Sequence, residues 1–223
     1  AVEVDSTHRE EVDPLMGSDS MMDYIWASWG GIWGHVKLEQ RSKRWFDNLY
    51  VRPRIDPLSC VISAEIKGQK GSQDVVLVEI EDQNGVALIS KEYPIDNIID
   101  SSGNIEVTID MKGAKLWTPD TPFLYNAYVS LVNDGKIVDI IKTRFGQREI
   151  EIKGTEFYLN GERIFLAGYG DDAIYPETMM PYSEVEPYKE RLKVAKSYGF
   201  NYIRIHSSIM PQEYYDELEE MGL

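Results

Sequence analysis

Two short stretches concentrate the side chains that could do chemistry: Asp171-Asp172 and Arg204-Ile205-His206. Arg204 and His206 are two residues apart, so on a strand they point to the same side and can share a pocket. A guanidinium in such a pocket can grip a carboxylate through charge-assisted hydrogen bonds and keep it ionised. It can equally serve as half of a structural ion pair with a helix carboxylate. An imidazole at a strand end can contact a ligand or be a hydrogen-bonded wall residue. Asp171 and Asp172 are neighbours in an extended loop, where adjacent carboxylates point apart. They therefore do not make a facing acid–base pair; one of them can bind a ligand hydroxyl, or both can belong to a solvated turn or cap. Cys60 is the single cysteine. That excludes an internal disulfide and a cysteine-based metal cluster, and its setting in Leu58-Ser59-Cys60-Val61-Ile62 reads as a buried small hydrophobe.

These residues lie in a segment, Thr155 to Leu223, that reads strand, loop, helix, strand, loop, helix. Glu156–Leu159 and Arg163–Leu166 flank Asn160-Gly161, a hairpin signal because both turn positions need positive φ. The hairpin delivers the chain into a first barrel-type strand. Ser183 and Glu186 have capping-box spacing, and Val185, Tyr188, Leu192, Ala195 and Tyr198 recur at helical intervals up to a Gly199 cap. Asn201–His206 reads as a strand buried on both faces, with polar groups at its exit. Pro211 opens a second helix through Tyr214, Tyr215 and Leu218, and another strand is expected to start at Met221-Gly222-Leu223. A parallel strand pair needs further units to cover its apolar faces. The expectation is an incomplete α/β part at 151–223, with strand edges that invite self-association or local disorder.

Upstream, the pattern is β throughout. Val36–Glu39, Trp45–Val51, Cys60–Ile66, Asp74–Ile80, Val86–Tyr93, Ile105–Met111, Tyr125–Val132 and Lys136–Thr143 alternate or run apolar over strand length, with turn residues such as Asn84-Gly85 and Asp134-Gly135 between them. About seven strands between Trp45 and Ile150 fit an immunoglobulin-like β-sandwich at 44–150. Residues 1–43 differ: Trp26, Trp29 and Trp33 crowd around Gly30-Gly31 and Gly34 behind an acidic, methionine-rich loop. One strand and a loop cannot bury three indoles, so this reads as the tail of another β domain. The indoles are core or a sugar-stacking platform, and Asp19 and Asp23 could reach toward a binding site.

Composition narrows the function classes. The chain has 223 residues, 43% hydrophobic content and a formal net charge of -15. Such a charge repels phosphate backbones and anionic membrane surfaces, which argues against nucleic-acid and membrane partners. No stretch approaches the length of a membrane span. Ala1 to Asp13 is polar and acidic, so no signal peptide is read here. The compartment stays open, a periplasmic or extracellular parent included. A glycine-rich phosphate loop is also missing, which counts against a nucleotide-dependent α/β enzyme.

Three motifs carry a family resemblance. Gly30-Gly31-Ile32-Trp33-Gly34-His35-Val36-Lys37-Leu38 resembles the segment that ends the N-terminal sugar-binding-type sandwich of glycoside hydrolase family 2, the β-galactosidase and β-glucuronidase group. Leu116-Trp117-Thr118-Pro119-Asp120-Thr121-Pro122-Phe123-Leu124-Tyr125 resembles the motif of its immunoglobulin-like domain. Arg144–Arg148 through Phe157–Leu166 resembles the linker and hairpin that enter its (β/α)8 barrel. The resemblance implies a retaining exo-glycosidase acting on carbohydrate, with two carboxylates about 5 Å apart. Those glutamates follow the fourth and seventh barrel strands in the family, so none is expected in this chain, and the fragment is expected to be inactive alone.

The resemblance also gives the candidate residues roles. Arg204 matches the arginine after the second barrel strand, which holds the nucleophile carboxylate. His206 stands near a family histidine, although the usual Arg-x-Ser-His spacing is shortened here. Gly168-Tyr169-Gly170-Asp171-Asp172 replaces an Asn-Arg-His-Glu stretch, so the family's metal ligands do not carry over, and no cofactor is implied. Asp171, Asp172, Arg204 and His206 are thus expected as active-site wall or substrate contacts. The alternative is a noncatalytic carbohydrate-binding or scaffold module whose terminal helices merely cover a sheet.

Overall fold

The computed structural model describes residues 2–3, 32, 35–68, 74–178, 181–206 and 209–223. The chain is mainly β, and it divides into two compact units, one of Glu39–Ile164 and one of Ala1–Leu38 with Phe165–Leu223. Trp26, Trp29, Trp33, Asp19 and Asp23 lie outside the described residues.

In the first unit, seven strands run in chain order: β1 (Arg44–Ile55), β2 (Leu58–Gly68), β3 (Val75–Asp82), β4 (Ala87–Pro94), β5 (Asn104–Asp110), β6 (Leu124–Asn133) and β7 (Lys136–Gly146). They form two antiparallel sheets, ordered β1-β2-β5 and β4-β3-β6-β7. Alternate residues decide which face is inward. Cys60, Ile62 and Ala64 of β2, Val76, Val78 and Ile80 of β3, and Ala127, Val129 and Leu131 of β6 all enter one core with Phe46 and Ile105. Each fully buried aliphatic or aromatic side chain there contributes about 1.5–3 kcal/mol relative to exposure. Burial of Cys60 in this core pushes its thiol up to about 12. At the start of β1, Arg44 pairs with the buried Asp74, which also accepts a hydrogen bond from Asn133 Nδ2 at 2.8 Å.

Two features depart from the sequence reading. Residues 36–39 form no strand, and Val36 and Leu38 are exposed. The second is an addition: the expected hairpin forms between β9 (Glu156–Leu159) and β10 (Glu162–Ile164), and β8 (Ile150–Lys153) extends it to a three-stranded antiparallel sheet with β9 central. Asn160, at φ 52°, turns between β9 and β10 and anchors the sheet. Its Oδ1 accepts the Glu149 amide at 2.9 Å and its Nδ2 donates to the Trp117 carbonyl at 2.9 Å. Trp117 is buried, and the Arg148 guanidinium lies 4.1 Å from its ring centroid. The two motifs around Trp117 and Gly146–Arg148 are therefore conformationally one feature: the Trp117 amide donates to the Gln147 carbonyl at 2.9 Å.

In the second unit, β11 (Gly168–Asp171) and β12 (Tyr202–Ile205) pair in parallel, connected through helix α1 (Glu186–Ser197) and followed by α2 (Gln212–Met221). α1 buries Tyr188, Leu192 and Ala195, as its periodicity predicts, but Tyr198 is exposed. The capping box does not form. Val185 holds the N-cap position with helical φ and ψ, no side chain caps the helix, and a proline near the start removes one orphan donor instead. α2 begins after extended Pro211 and ends on Gly222 in the left-handed region, so Gly222 closes the helix. β12 is covered on one face only, since Tyr202 and Arg204 are exposed.

Candidate functional site

Strand alternation gives the parallel pair two unlike faces. Ile203 and Ile205 pack with Tyr188 and Leu192 of α1, Tyr214 of α2, and Met210 just before α2. Tyr202 and Arg204 stand on the opposite, open face beside Gly168 and Gly170, their partners in register. Gly168 is required there: a Cβ would lie 2.0 Å from the Tyr202 carbonyl oxygen. Asn201 ties the N-terminal ends together, its Oδ1 accepting the Ala167 amide and its Nδ2 donating to the Phe165 carbonyl, each at 2.9 Å. At the C-terminal ends, the His206 amide donates to the Asp171 carbonyl at 2.8 Å.

The four residues singled out in the sequence meet at those C-terminal ends, but in unequal roles. Asp171 turns inward and is buried. Its Oδ1 accepts the Ala173 amide at 2.9 Å, and its Oδ2 accepts the hydroxyls of Tyr175 at 3.2 Å and Tyr214 at 3.0 Å. Burial first, and the Asp171 charge second, push both phenols well above their ordinary range. Asp172 turns outward, and its Oδ1 lies 3.1 Å from His206 Nδ1 with 61% of its side chain exposed. The adjacent carboxylates thus point apart, and Asp171 is neither solvated nor on the open face. Arg204 is exposed, and among the described residues its guanidinium has no carboxylate partner.

Sequence reasoning missed Tyr202, which presents an aromatic ring two residues before Arg204 on the same face and is 40% exposed. The alternation that pairs Arg204 with His206 also selects it. An open face bearing a phenol, a guanidinium and an imidazole–carboxylate pair can bind a polar ligand that offers both hydroxyls and a C–H face. Among the described residues, no group of three acidic, histidine or cysteine side chains is placed to hold a metal ion, and no helix is long and apolar enough to cross a membrane.

Residues 46–148, which span the seven strands of the first unit, match the model of the glycosyl hydrolases family 2. The chain is 26% identical over 229 residues to a β-galactosidase of Thermoanaerobacter pseudethanolicus, covering 100% of this chain and 30% of that protein. Among solved structures, a family 2 glycosyl hydrolase from Bacteroides cellulosilyticus superposes with a TM-score of 0.73 at 18% identity, over 89% of this chain and 28% of that one. The β-glucuronidase of Ruminococcus gnavus gives 0.64 at 19% identity, over 82% and 29%. Both structural likenesses speak for the fold. The family match covers residues 46–148, and the likeness to the β-galactosidase extends over the whole chain. The chain spans less than a third of the length of these relatives.

Proposed function

We propose that this chain supplies the central sandwich and the first part of the catalytic barrel of a retaining β-glycosidase of the β-galactosidase or β-glucuronidase kind. On this reading the seven-stranded unit is an immunoglobulin-like sandwich, and β11, α1, β12 and α2 are the opening units of a (β/α)8 barrel. Barrel enzymes build their sites at the C-terminal ends of the strands. The open face of β11 and β12, with Arg204, His206 and Asp172, is then a wall of the sugar site, and Asp171 braces it. The observation that carries the reading is Arg204: an exposed guanidinium on the open face of a parallel strand, without a carboxylate partner among the described residues. Such a group is suited to receive the carboxylate nucleophile of a retaining glycosidase and keep it ionised.

The two reacting carboxylates, on this reading, are contributed by polypeptide outside these 223 residues. The 223-residue chain is therefore expected to bind but not turn over glycosides. The test is a panel of nitrophenyl β-galactoside, β-glucuronide, β-mannoside and β-glucosaminide, given to this chain and to a longer polypeptide that contains it. Turnover by the longer protein alone, reduced by Arg204→Ala, supports the proposal. Turnover by the 223-residue chain itself, lost on changing Asp172, overturns it.

A further inference from the structure

Residues 171–173 grip His206 in two ways, and the grip depends on a buried node. The Asp171 carbonyl accepts the His206 amide, while the Asp172 carboxylate meets the His206 ring at Nδ1. Between these anchors and the following loop, Ala173 is fully buried at φ 57°, a left-handed conformation unfavourable for a non-glycine residue. The Asp171 side chain holds that conformation by accepting the Ala173 amide, and it is itself held by Tyr214 from α2 and by Tyr175. The Tyr175 ring packs in turn against Tyr182 and Tyr188, with the Arg191 guanidinium 4.7 Å from its centroid.

Tyr214 lies far along the chain from Asp171, and a buried carboxylate with three donors is a rigid support. The node fixes the direction in which the next residue leaves the turn, and that residue is Asp172. A carboxylate at Nδ1 also selects the ring's tautomer, because the proton stays on the nitrogen that faces it.

We propose that Asp171 is a positioning residue: its carboxylate, clamped by Tyr175, Tyr214 and the Ala173 amide, sets the turn that aims Asp172 at His206 and so fixes the His206 tautomer on the open face. The assignment rests on the reading of that face as a sugar-site wall, but its test does not require sugar or activity.

The chain has three histidines. Nitrogen-15 labelling of their rings, with His206 assigned through His206→Gln, reports the tautomer by the Nδ1 and Nε2 shifts. At about pH 9, above the ordinary imidazole range, the parent chain is expected to carry the His206 proton on Nδ1, and Asp172→Ala to move it to Nε2. Asp171→Ala is expected to reproduce that move although it leaves Asp172 in place. Tyr214→Phe deletes one hydroxyl and keeps the ring, and is expected to give a mixed population; it decides the matter where Asp171→Ala does not fold. A folded variant of either kind that keeps the parent's His206 signature overturns the proposal, as does a parent ring protonated on Nε2. A tautomer that follows the node in a protein whose longer form hydrolyses no glycoside would leave the positioning role standing and sink the sugar-site reading instead.

Discussion

Asn160 and Trp117 are joined across the first unit by a 2.9 Å hydrogen bond from the asparagine side chain to the tryptophan carbonyl. The turn between β9 and β10 is thereby fastened to the loop that enters β6. Asn160 also accepts the Glu149 amide and sits at positive φ, so one side chain satisfies two backbone groups in a conformation that few residues tolerate. Asn160→Ala is expected to cost about 2–4 kcal/mol, from two lost hydrogen bonds and the left-handed backbone. Asn160→Gly, which relieves the backbone but not the bonds, should cost less. Urea unfolding midpoints of the two variants check the ordering; equal midpoints would remove the conformational part of the argument.

Gly146 lies against the same tryptophan. A Cβ at Gly146 would stand 2.8 Å from Trp117 Cβ, Cγ and Cδ1, and Trp117 is only 4% exposed, so the ring has little room to retreat. Gly146→Ala is expected to destabilise the first unit by about 1–3 kcal/mol. Thermal unfolding followed by circular dichroism measures it. A melting temperature within error of the parent would show that the indole shifts freely.

On the acid side, Asp82, Asp100 and Glu149 are held below their ordinary values of 3.8, 3.8 and 4.5. For Asp82 the largest cause is the Val86 amide, for Asp100 the Asn104 side chain, and for Glu149 the Arg54 guanidinium. The unfolded chain binds protons at these sites before the folded one does. Their contribution is therefore fully present above the ordinary carboxylate range and is lost as pH falls through the lower, folded values. Melting temperature measured from pH 6 down to 3 should decline, and Glu149→Gln should flatten part of that decline; a slope unchanged by the substitution would exclude Glu149 as a source.

On the alkaline side the sign reverses. Tyr175 and Tyr214 are raised above 10.0, first by burial and second by Asp171. Above that value the unfolded chain releases these protons while the folded chain keeps them, so the second unit loses stability as pH rises. Absorbance at 295 nm should show part of the tyrosine signal appearing only together with loss of helical circular dichroism. Complete titration of all 14 tyrosines with the helical signal intact would contradict this.

The strands of the first unit were legible in the sequence because period-two alternation is a local property: a strand that buries Val76, Val78 and Ile80 must spell them at every second position. The Asn160-Gly161 turn and the parallel β11–α1–β12 order were legible for the same reason. The inward or outward choice at Asp171 and Asp172 was not. They are adjacent carboxylates at the end of β11, and the choice depends on a hydroxyl from Tyr214 that arrives from α2. Ser183 had the right spacing to cap α1, yet Val185 took the N-cap position. Residues 36–39 had strand composition but pair with no strand among the described residues, and a strand exists only in a ladder. Residue types and their periodicity thus determined the elements and the faces of each. Tertiary structure decided which of the candidate groups face outward, because burial and hydrogen-bond partners come from parts of the chain that no local pattern records.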